Sequence, residues 1–267
     1  MSNDYLAKLN PHPRDKDITF EEGPHIYTVL GDRGGYTSVT TFNHTHFSHF
    51  EADAIIENIV KSRKWDTDPA YKYYKMSKEA IKDMWEQKRD TAAQAGTNMH
   101  YDIECYYNQR PVENDSLEYK YFLIFVKDFP ELKAYRTEWM VFHEELKISG
   151  SIDMIYENPD GTLQIYDWKR AEEIKSEAEF GKYAITPCLS HLPDTNFWHY
   201  ALQLNLYKLI LEEKYGKQVT GLYLIRLHPI NAYKSYERIQ VPFLTDEMRN
   251  LKEYRKKQLM DGVTTSH

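Results

Sequence analysis

Hydrophobic positions follow a helical spacing in the first half of the chain. A capping-box pattern at Ser48 and Glu51 predicts the start of a helix whose apolar residues share one face. A second helix is predicted from near Ser77 to Tyr107, and Gly96 indicates a break within it and a close approach to a neighbour. A third helix is predicted over 116–128, before Pro130.

From residue 135 onward, apolar and polar positions alternate as they do in β-strands. An earlier pair of β-branched and aromatic segments, 18–30 and 36–42, predicts a hairpin around the turn-forming residues 31–35. The later elements are predicted as strands over 135–144, 147–157 and 162–169, a helix over 196–215, strands over 219–227 and 236–241, and a helix from about 246.

This order of elements predicts the α/β (α+β) class, with a mixed central β-sheet flanked by helices and an N-terminal helical elaboration. No repeat, low-complexity tract or long linker divides the sequence. We therefore expect one domain over 1–267, with a helical portion over 48–130 and a core over 131–245.

The composition excludes several classes of protein. Of 267 residues, 41% are hydrophobic and 28% are charged, and the longest apolar run, 122–126, is far shorter than a membrane span. The first residues lack the pattern of a secretory signal or transit peptide, so we expect an intracellular protein, in the cytoplasm or nucleoid, with the nucleus, an organelle or a viral host compartment left open.

The net charge of -7 hides a local basic stretch. Between Lys61 and Arg89, nine Lys/Arg face five Asp/Glu, and aromatic residues lie among them: Trp65, Tyr71, Tyr73, Tyr74 and Trp85. Single-stranded nucleic acid offers phosphates and base faces that suit this combination. Taken alone, the stretch favours a solvated helix that buries a few aromatic rings.

The segment ENPDGT, residues 157–162, predicts a tight hairpin turn. Pro159, Asp160 and Gly161 fit a three-residue loop, with glycine in the left-handed position. Counting outward from this loop places Asp153 opposite Asp167 and Ser151 opposite Lys169.

Two opposed carboxylates repel each other, and burial increases that cost unless a cation lies between them. Oxygen ligands favour Mg²⁺ or Mn²⁺, and the ammonium group of Lys169 could stabilise negative charge or position a water. This set of Asp153, Asp167 and Lys169 suits phosphodiester hydrolysis. The alternative is a surface ladder in which Lys169 only screens two solvated aspartates.

Four short motifs occur in order over about 110 residues: AGTNMHYDIE (95–104), GSID (150–153), YDWK (166–169) and ALQLNLY (201–207). Together they resemble the PD-(D/E)xK nuclease superfamily, and within it the RecB-like exonuclease branch. That branch includes the nuclease domains of RecB and AddB and the mitochondrial genome maintenance exonucleases. Residues 25–42 are similar to the opening strands of its exonuclease members.

The resemblance implies a restriction-endonuclease-like core and a metal-dependent DNA exonuclease that acts on single-stranded DNA or strand ends. It also implies the roles of individual residues. The implied metal ligands are His100, Asp153, Asp167 and the carbonyl of Trp168, the catalytic cation is Lys169, and the supporting residues are Glu104, Gln203 and Tyr207. A histidine ligand suits Mn²⁺ somewhat better than Mg²⁺, and the basic stretch would guide the DNA strand.

Two alternatives to an exonuclease remain open: a structure-specific endonuclease of the same fold, and a DNA-binding accessory protein that does not cleave. Other replication or recombination proteins are further expected partners. Cys105 and Cys188 are too few to hold an iron-sulfur cluster, and the absence of a phosphate-loop motif predicts no nucleotide cofactor. Arg170 stands where the branch often has a small hydroxyl residue.

Two further groups of residues are weaker candidates. His44, His46 and His49 suggest a zinc site, but no cysteine or carboxylate accompanies them at zinc-finger spacing. Cys188 has His191 nearby, without the other groups that activate a nucleophile.

Overall fold

The computed structural model describes residues 5–178 and 181–264, with side chains to residue 262. The chain forms two compact units, residues 1–48 together with 99–267, and residues 49–98. The prediction of one domain with portions 48–130 and 131–245 stays a prediction. None of the described helices has the length and apolar character needed to span a membrane.

The helices and strands occur in groups along the chain. The helices are α1 Tyr5–Leu9, α2 Val39–His44, α3 Ala52–Lys61, α4 Arg63–Thr67, α5 Lys78–Tyr107, α6 Leu117–Asp128, α7 Asn196–Lys214 and α8 Thr245–Thr264. The strands are β1 Ile18–Glu21, β2 Ile26–Val29, β3 Asp32–Arg33, β4 Thr37–Ser38, β5 Lys133–His143, β6 Ile148–Glu157, β7 Leu163–Lys169, β8 Val219–Arg226 and β9 Glu237–Gln240.

A six-stranded mixed sheet forms the centre of the larger unit, with the path β4-β6-β7-β8-β9 and β5 paired with β6. The pairs β4/β6 and β7/β8 are parallel, and the other pairs are antiparallel. The mixed sheet flanked by helices confirms the predicted fold class.

Strand β6 pairs with β5 on one edge and with both β4 and β7 on the other. Strand β5 pairs with it along its whole length, so β4 and β7 share the opposite edge. There β4 pairs with the start of β6, through Ile148 and Ser149, and β7 pairs with the end of β6, from Glu157 back to Met154. Strands β6 and β7 therefore separate immediately before Asp153, and this fork opens the sheet where the acidic residues lie.

Apolar layers cover both faces of the sheet. On β7, Leu163 and Ile165 pack into a cluster with buried residues of α2, α7 and α8, whereas Tyr166 and Trp168 pack with the end of α5 and with α6. Alternate residues of a strand point to opposite faces. Asp167 and Lys169 therefore project toward the α7 side.

The hairpin between β6 and β7 forms as predicted. Gly161 has a φ of 81°, in the left-handed region that favours glycine, and the N–H of Asn158 donates to the carbonyl of Thr162 at 2.8 Å. The pairing of Met154 with Tyr166 keeps the predicted register. The prediction for this turn is confirmed.

The N-terminal predictions need correction. Residues 18–30 form a hairpin by themselves, and residues 39–44 are helical although β-branched residues favoured a strand. The hydroxyl of Ser38 accepts from the N–H of Thr41 and caps α2, which overrides the weak strand propensity.

The smaller unit, residues 49–98, contains α3, α4 and most of α5. Glu51 stands at the N-cap of α3 without a side-chain hydrogen bond, so the predicted capping box with Ser48 is wrong. The predicted break at Gly96 is also wrong, because α5 is continuous there. A Cβ at Gly96 would meet nothing within 4 Å, so no close approach requires a glycine.

Candidate active site

The fork between β6 and β7 places two aspartates side by side. The two strands are not paired beyond Met154 and Tyr166, so Asp153 does not lie in a continuous ladder with Asp167 as the sequence predicted. Instead, the N–H of Trp168 donates to Asp153 Oδ2 at 3.0 Å. The predicted pairing of Ser151 with Lys169 is wrong, because the pairing of β6 with β7 ends at Met154 and Tyr166.

Three side chains meet at the mouth of the fork. One ligand atom each from His100, Glu138 and Asp153 lies within 4.8 Å of the others. His100 Nδ1 lies 3.4 Å from Asp153 Oδ2 and 4.0 Å from Glu138 Oε1. The structure thus brings together two predicted ligands, His100 and Asp153, with a carboxylate that the sequence analysis missed.

Glu138 lies in β5 and has an unusual backbone. Its φ of 42° is in the left-handed region, which residues other than glycine adopt rarely. Pairing with β6 continues on both sides of it, through Thr137 with Met154 and Trp139 with Ile152. The hydroxyl of Ser151 donates to Glu138 Oε2 at 2.9 Å and fixes the carboxylate. A carboxylate within this apolar strand was the sequence signal for a functional residue.

Asp167 adjoins this group on the side of Lys169. It is only 2% exposed, and its Oδ2 lies 2.6 Å from Lys169 Nζ. Burial and the charge of Asp153 raise the pKa of Asp167, and Lys169 partly offsets them. Burial and Asp153 also raise the pKa of Glu138. Carboxyl groups with pKa values raised in this way ionise fully at neutral pH only when a nearby cation stabilises the charge.

The donors present suit a divalent ion. Carboxylate oxygens are the ligands of hard cations, and one imidazole nitrogen is compatible with Mn²⁺. A divalent charge at this position would offset the burial and the repulsion from Asp153 that raise the pKa values of Glu138 and Asp167. The residues therefore fit a divalent metal ion.

Lys169 is held in a defined position. Its ammonium group contacts Asp167 and lies 4.5 Å from the centre of the Tyr200 ring. Burial alone would lower the pKa of Lys169, but Asp167 and Asp153 outweigh burial and raise it. Lys169 is therefore a cation and hydrogen-bond donor at neutral pH.

Glu104 lies one helical turn from His100 on α5, and its carboxylate accepts from Arg110 Nη2 at 2.9 Å. Its charge helps to raise the pKa of Glu138, after burial and Asp153. Glu104 is therefore close enough to influence the acidic group electrostatically, while Arg110 neutralises part of its charge.

The remaining predicted residues lie on α7 and β7. Tyr207 is buried, and a Cβ at Gly150 would lie 2.8 Å from its ring, so this close approach of α7 to β6 requires a glycine. Gln203 lines a cavity together with Lys169. The Trp168 side chain is buried on the α6 face, and only its backbone reaches the fork.

The family model of the PD-(D/E)XK nuclease superfamily matches residues 47–264 of the chain. The matched region is most of the chain and contains the fork. The chain belongs to this superfamily. No curated protein matches the chain in a sequence search.

Membership identifies the protein as a nuclease of the PD-(D/E)XK type, which acts on nucleic acid and uses divalent metal ions. The acidic and histidine ligands at the fork agree with that use of metal. The more specific resemblance to the RecB-like branch stays a prediction.

The weaker candidates do not assemble into sites. His46 is buried, and its Nδ1 bonds the Thr186 hydroxyl at 2.8 Å, so it is part of the packing around α2. Among the described residues, no metal-ligating group of three or more includes His44, His46 or His49. Burial raises the pKa of the Cys188 thiol, which disfavours the thiolate that a nucleophile needs.

Proposed function

We propose that this nuclease is a metal-dependent DNA exonuclease that acts on single-stranded DNA or on strand ends. The observation that carries the proposal is the fork between β6 and β7, where carboxylates, an imidazole and a buried ammonium group converge. A structural ion pair would not need additional carboxylates whose pKa values are raised by burial and by repulsion from Asp153.

The proposed metal ligands are His100, Asp153 and Asp167, with Glu138 as an addition from the structure and the Trp168 carbonyl as a further ligand. When bound, Mg²⁺ or Mn²⁺ would supply a more acidic water and neutralise charge on the phosphate oxygens. Asp153 is already oriented by the N–H of Trp168, and Glu138 by the hydroxyl of Ser151. These hydrogen bonds hold the carboxylates in place before substrate binds.

Lys169 acts as a cation at the scissile phosphate. Its contacts with Asp167 and Tyr200 hold the ammonium group beside the fork. Because its pKa is raised, Lys169 orients the attacking water and stabilises developing negative charge, and it does not act as the general base.

Glu104, Gln203 and Tyr207 form the proposed support around these groups. Tyr207 packs against the bare backbone of Gly150 and fixes the distance between α7 and β6. Glu104 adjusts the electrostatics of Glu138 from α5. These residues position the site and do not take part in bond breaking.

The basic and aromatic stretch of residues 61–89 is the proposed guide for the DNA strand. Within this unit, Lys72 lies 5.1 Å from the centre of the Tyr73 ring, and Trp85 donates a hydrogen bond to the Tyr73 hydroxyl. Rings fixed among cations suit single-stranded DNA, which binds through stacking and phosphate contacts. Other replication or recombination proteins are proposed partners, and an intracellular location is proposed with them.

The proposal is tested with end-labelled linear and closed circular single-stranded DNA, linear double-stranded DNA and RNA, each with Mg²⁺, Mn²⁺ or EDTA. We expect linear single-stranded DNA to be degraded with either metal and not in EDTA, and the closed circle to survive. Cleavage of the circle would replace the exonuclease by an endonuclease of the same fold. DNA binding without cleavage under any condition would indicate an accessory protein.

A further inference from the structure

A cavity of about 280 Å³ lies directly beside the catalytic lysine. It is bounded by α2, by the start of α7 and by the end of β7, and its lining residues are Thr40, Asn43, His44, Lys169, Asn196, His199, Tyr200 and Gln203. Lys169 is therefore shared between the fork and this cavity. A chemical group bound in the cavity would therefore lie next to the phosphodiester bond that the fork is proposed to bind.

The lining is neutral, polar and aromatic. It contains amides and a hydroxyl, the ring of Tyr200 and two imidazoles, and no carboxylate. Its only permanent cation is Lys169, whose ammonium group is already paired with Asp167. A phosphate would find no free cation in this lining, whereas an uncharged planar ring could stack and form hydrogen bonds.

Contacts between α2 and α7 fix the positions of the residues that line the cavity. The Asn43 side chain is 3% exposed, and its Nδ2 donates to the His199 carbonyl at 2.6 Å, which links α2 to α7. The His199 ring stacks on Phe47 at 3.8 Å and bonds Asp194 at 2.9 Å. The cavity is therefore preformed, and its size suits one nucleoside.

We propose that this cavity binds the base of one nucleotide. This nucleotide is the one that carries the scissile phosphate on the Lys169 side of the fork. The inference rests on the proposed function and adds a subsite to it. Stacking on Tyr200 and His44 gives affinity for any base, and the Gln203 amide hydrogen-bonds to its edge. The Asn196 amide forms part of the wall, because its oxygen and nitrogen are already bonded to the backbone of Lys175 and Glu173. The base thereby sets the position of the phosphate relative to Lys169.

The test compares the binding of deoxyadenosine monophosphate with that of 2-deoxyribose 5-phosphate, which lacks the base. Calorimetry on the full chain uses Ca²⁺ as the metal. We expect the nucleotide to bind about tenfold more tightly than the sugar phosphate, since only the nucleotide has a base that can stack on the cavity rings. Equal affinities would overturn the inference, because the phosphate alone would then account for binding.

Two variants at the exposed mouth locate the base. His44→Ala removes an imidazole ring from the mouth, and Thr40→Leu narrows the entrance without adding a ring. Each variant should lower the affinity for the nucleotide severalfold and leave the affinity for the sugar phosphate unchanged. His191→Ala and Thr45→Leu are matched controls, because both residues are exposed and lie outside this cavity. An unchanged preference for the nucleotide in both mouth variants would overturn the inference.

Cleavage of labelled single-stranded DNA in Mn²⁺ is measured on the same protein samples. If the DNA is cut but the mouth variants keep the full preference for the nucleotide, the subsite is wrong and the proposed function stands. If no DNA is cut with any metal, the proposed function fails, and the calorimetry still decides whether the cavity binds a base.

Discussion

Lys169 is the residue on which the proposed chemistry depends most directly. Replacing Lys169 with Ala removes the ammonium group beside the phosphate, so we expect DNA cleavage to fall roughly 10²–10⁴-fold with little change in DNA binding. Initial rates on end-labelled DNA and binding in Ca²⁺ measure the two effects separately.

Lys208 provides a matched control. Its side chain is 19% exposed against 17% for Lys169, it pairs with Glu212, and it lies 4.9 Å from the Phe243 ring centre. Lys208→Ala should keep the wild-type rate. Equal losses in the two variants would show that Lys169 acts through stability rather than at the phosphate.

Glu138 carries a charge that the metal-free protein tolerates poorly. Burial and the charge of Asp153 raise the pKa of Glu138 from its ordinary value of 4.5 to about 8. The protonated group therefore stabilises the folded protein fully below pH 4.5, and this stabilisation is lost as the pH rises toward 8. Glu138→Gln removes this penalty. In EDTA, we expect the variant to unfold at a higher temperature than the wild type, by a margin that grows between pH 5 and pH 8.

The same substitution should weaken metal binding. Thermal unfolding with added Mn²⁺ should show a smaller rise in melting temperature for Glu138→Gln than for the wild type, because the amide is a poorer ligand than the carboxylate. A variant that is less stable in EDTA and gains as much from Mn²⁺ as the wild type would contradict the assignment of Glu138 to the metal group.

At the scale of elements, the approach of α7 to β6 determines whether the fork is aligned. Gly150→Ala would place a Cβ 2.8 Å from the Tyr207 ring, so we expect a loss of about 1–3 kcal/mol in the free energy of unfolding and a lower cleavage rate. Gly96→Ala is the control, since its Cβ meets nothing and it lies within a helix. It should stabilise by roughly 0.5–1 kcal/mol.

Urea unfolding and cleavage rates measure both effects. If Gly150→Ala proves as harmless as Gly96→Ala, then α7 can shift without cost, and Tyr207 does not set the geometry of the fork.

The hairpin of β6 and β7 was predictable because its turn is local. Pro159, Asp160 and Gly161 specify the loop, and the loop fixes the register that brings Asp153 near Asp167. The fork itself was not predictable from this turn. It arises because β4, more than a hundred residues earlier in the sequence, occupies the other end of the same edge of β6.

Glu138 and the cavity were missed for related reasons. The connection between β5 and β6 contains Lys147 at a φ of 50°, and no turn signal in the sequence fixed the register that places Glu138 near Asp153. The cavity depends on α2, where strand propensity was overridden by the Ser38 cap. Both features come from contacts between distant segments, which a local pattern does not specify.

At the scale of the whole molecule, the net charge of -7 makes a localised basic surface important for DNA binding. We expect Lys64→Glu with Lys72→Glu to lower affinity for single-stranded DNA about tenfold at low salt and to reduce the salt dependence of binding by roughly 1.4 in log–log slope. Fluorescence anisotropy at several salt concentrations measures both quantities.

A second pair on α8, Lys256→Glu with Lys257→Glu, changes the net charge equally and should have a smaller effect. Equal effects of the two pairs would mean that net charge alone governs DNA binding, and that residues 61–89 are not the guide for the strand.

The position of a bound ion tests the central claim most directly. Crystals grown with Mn²⁺ should give an anomalous density peak within roughly 2.5 Å of an oxygen of Asp153 and of at least one of Asp167 and Glu138, with His100 as a further ligand. The account predicts that this peak is lost in Asp153→Asn. A fork that stays without a peak at saturating Mn²⁺, while the protein still cleaves DNA, would contradict it.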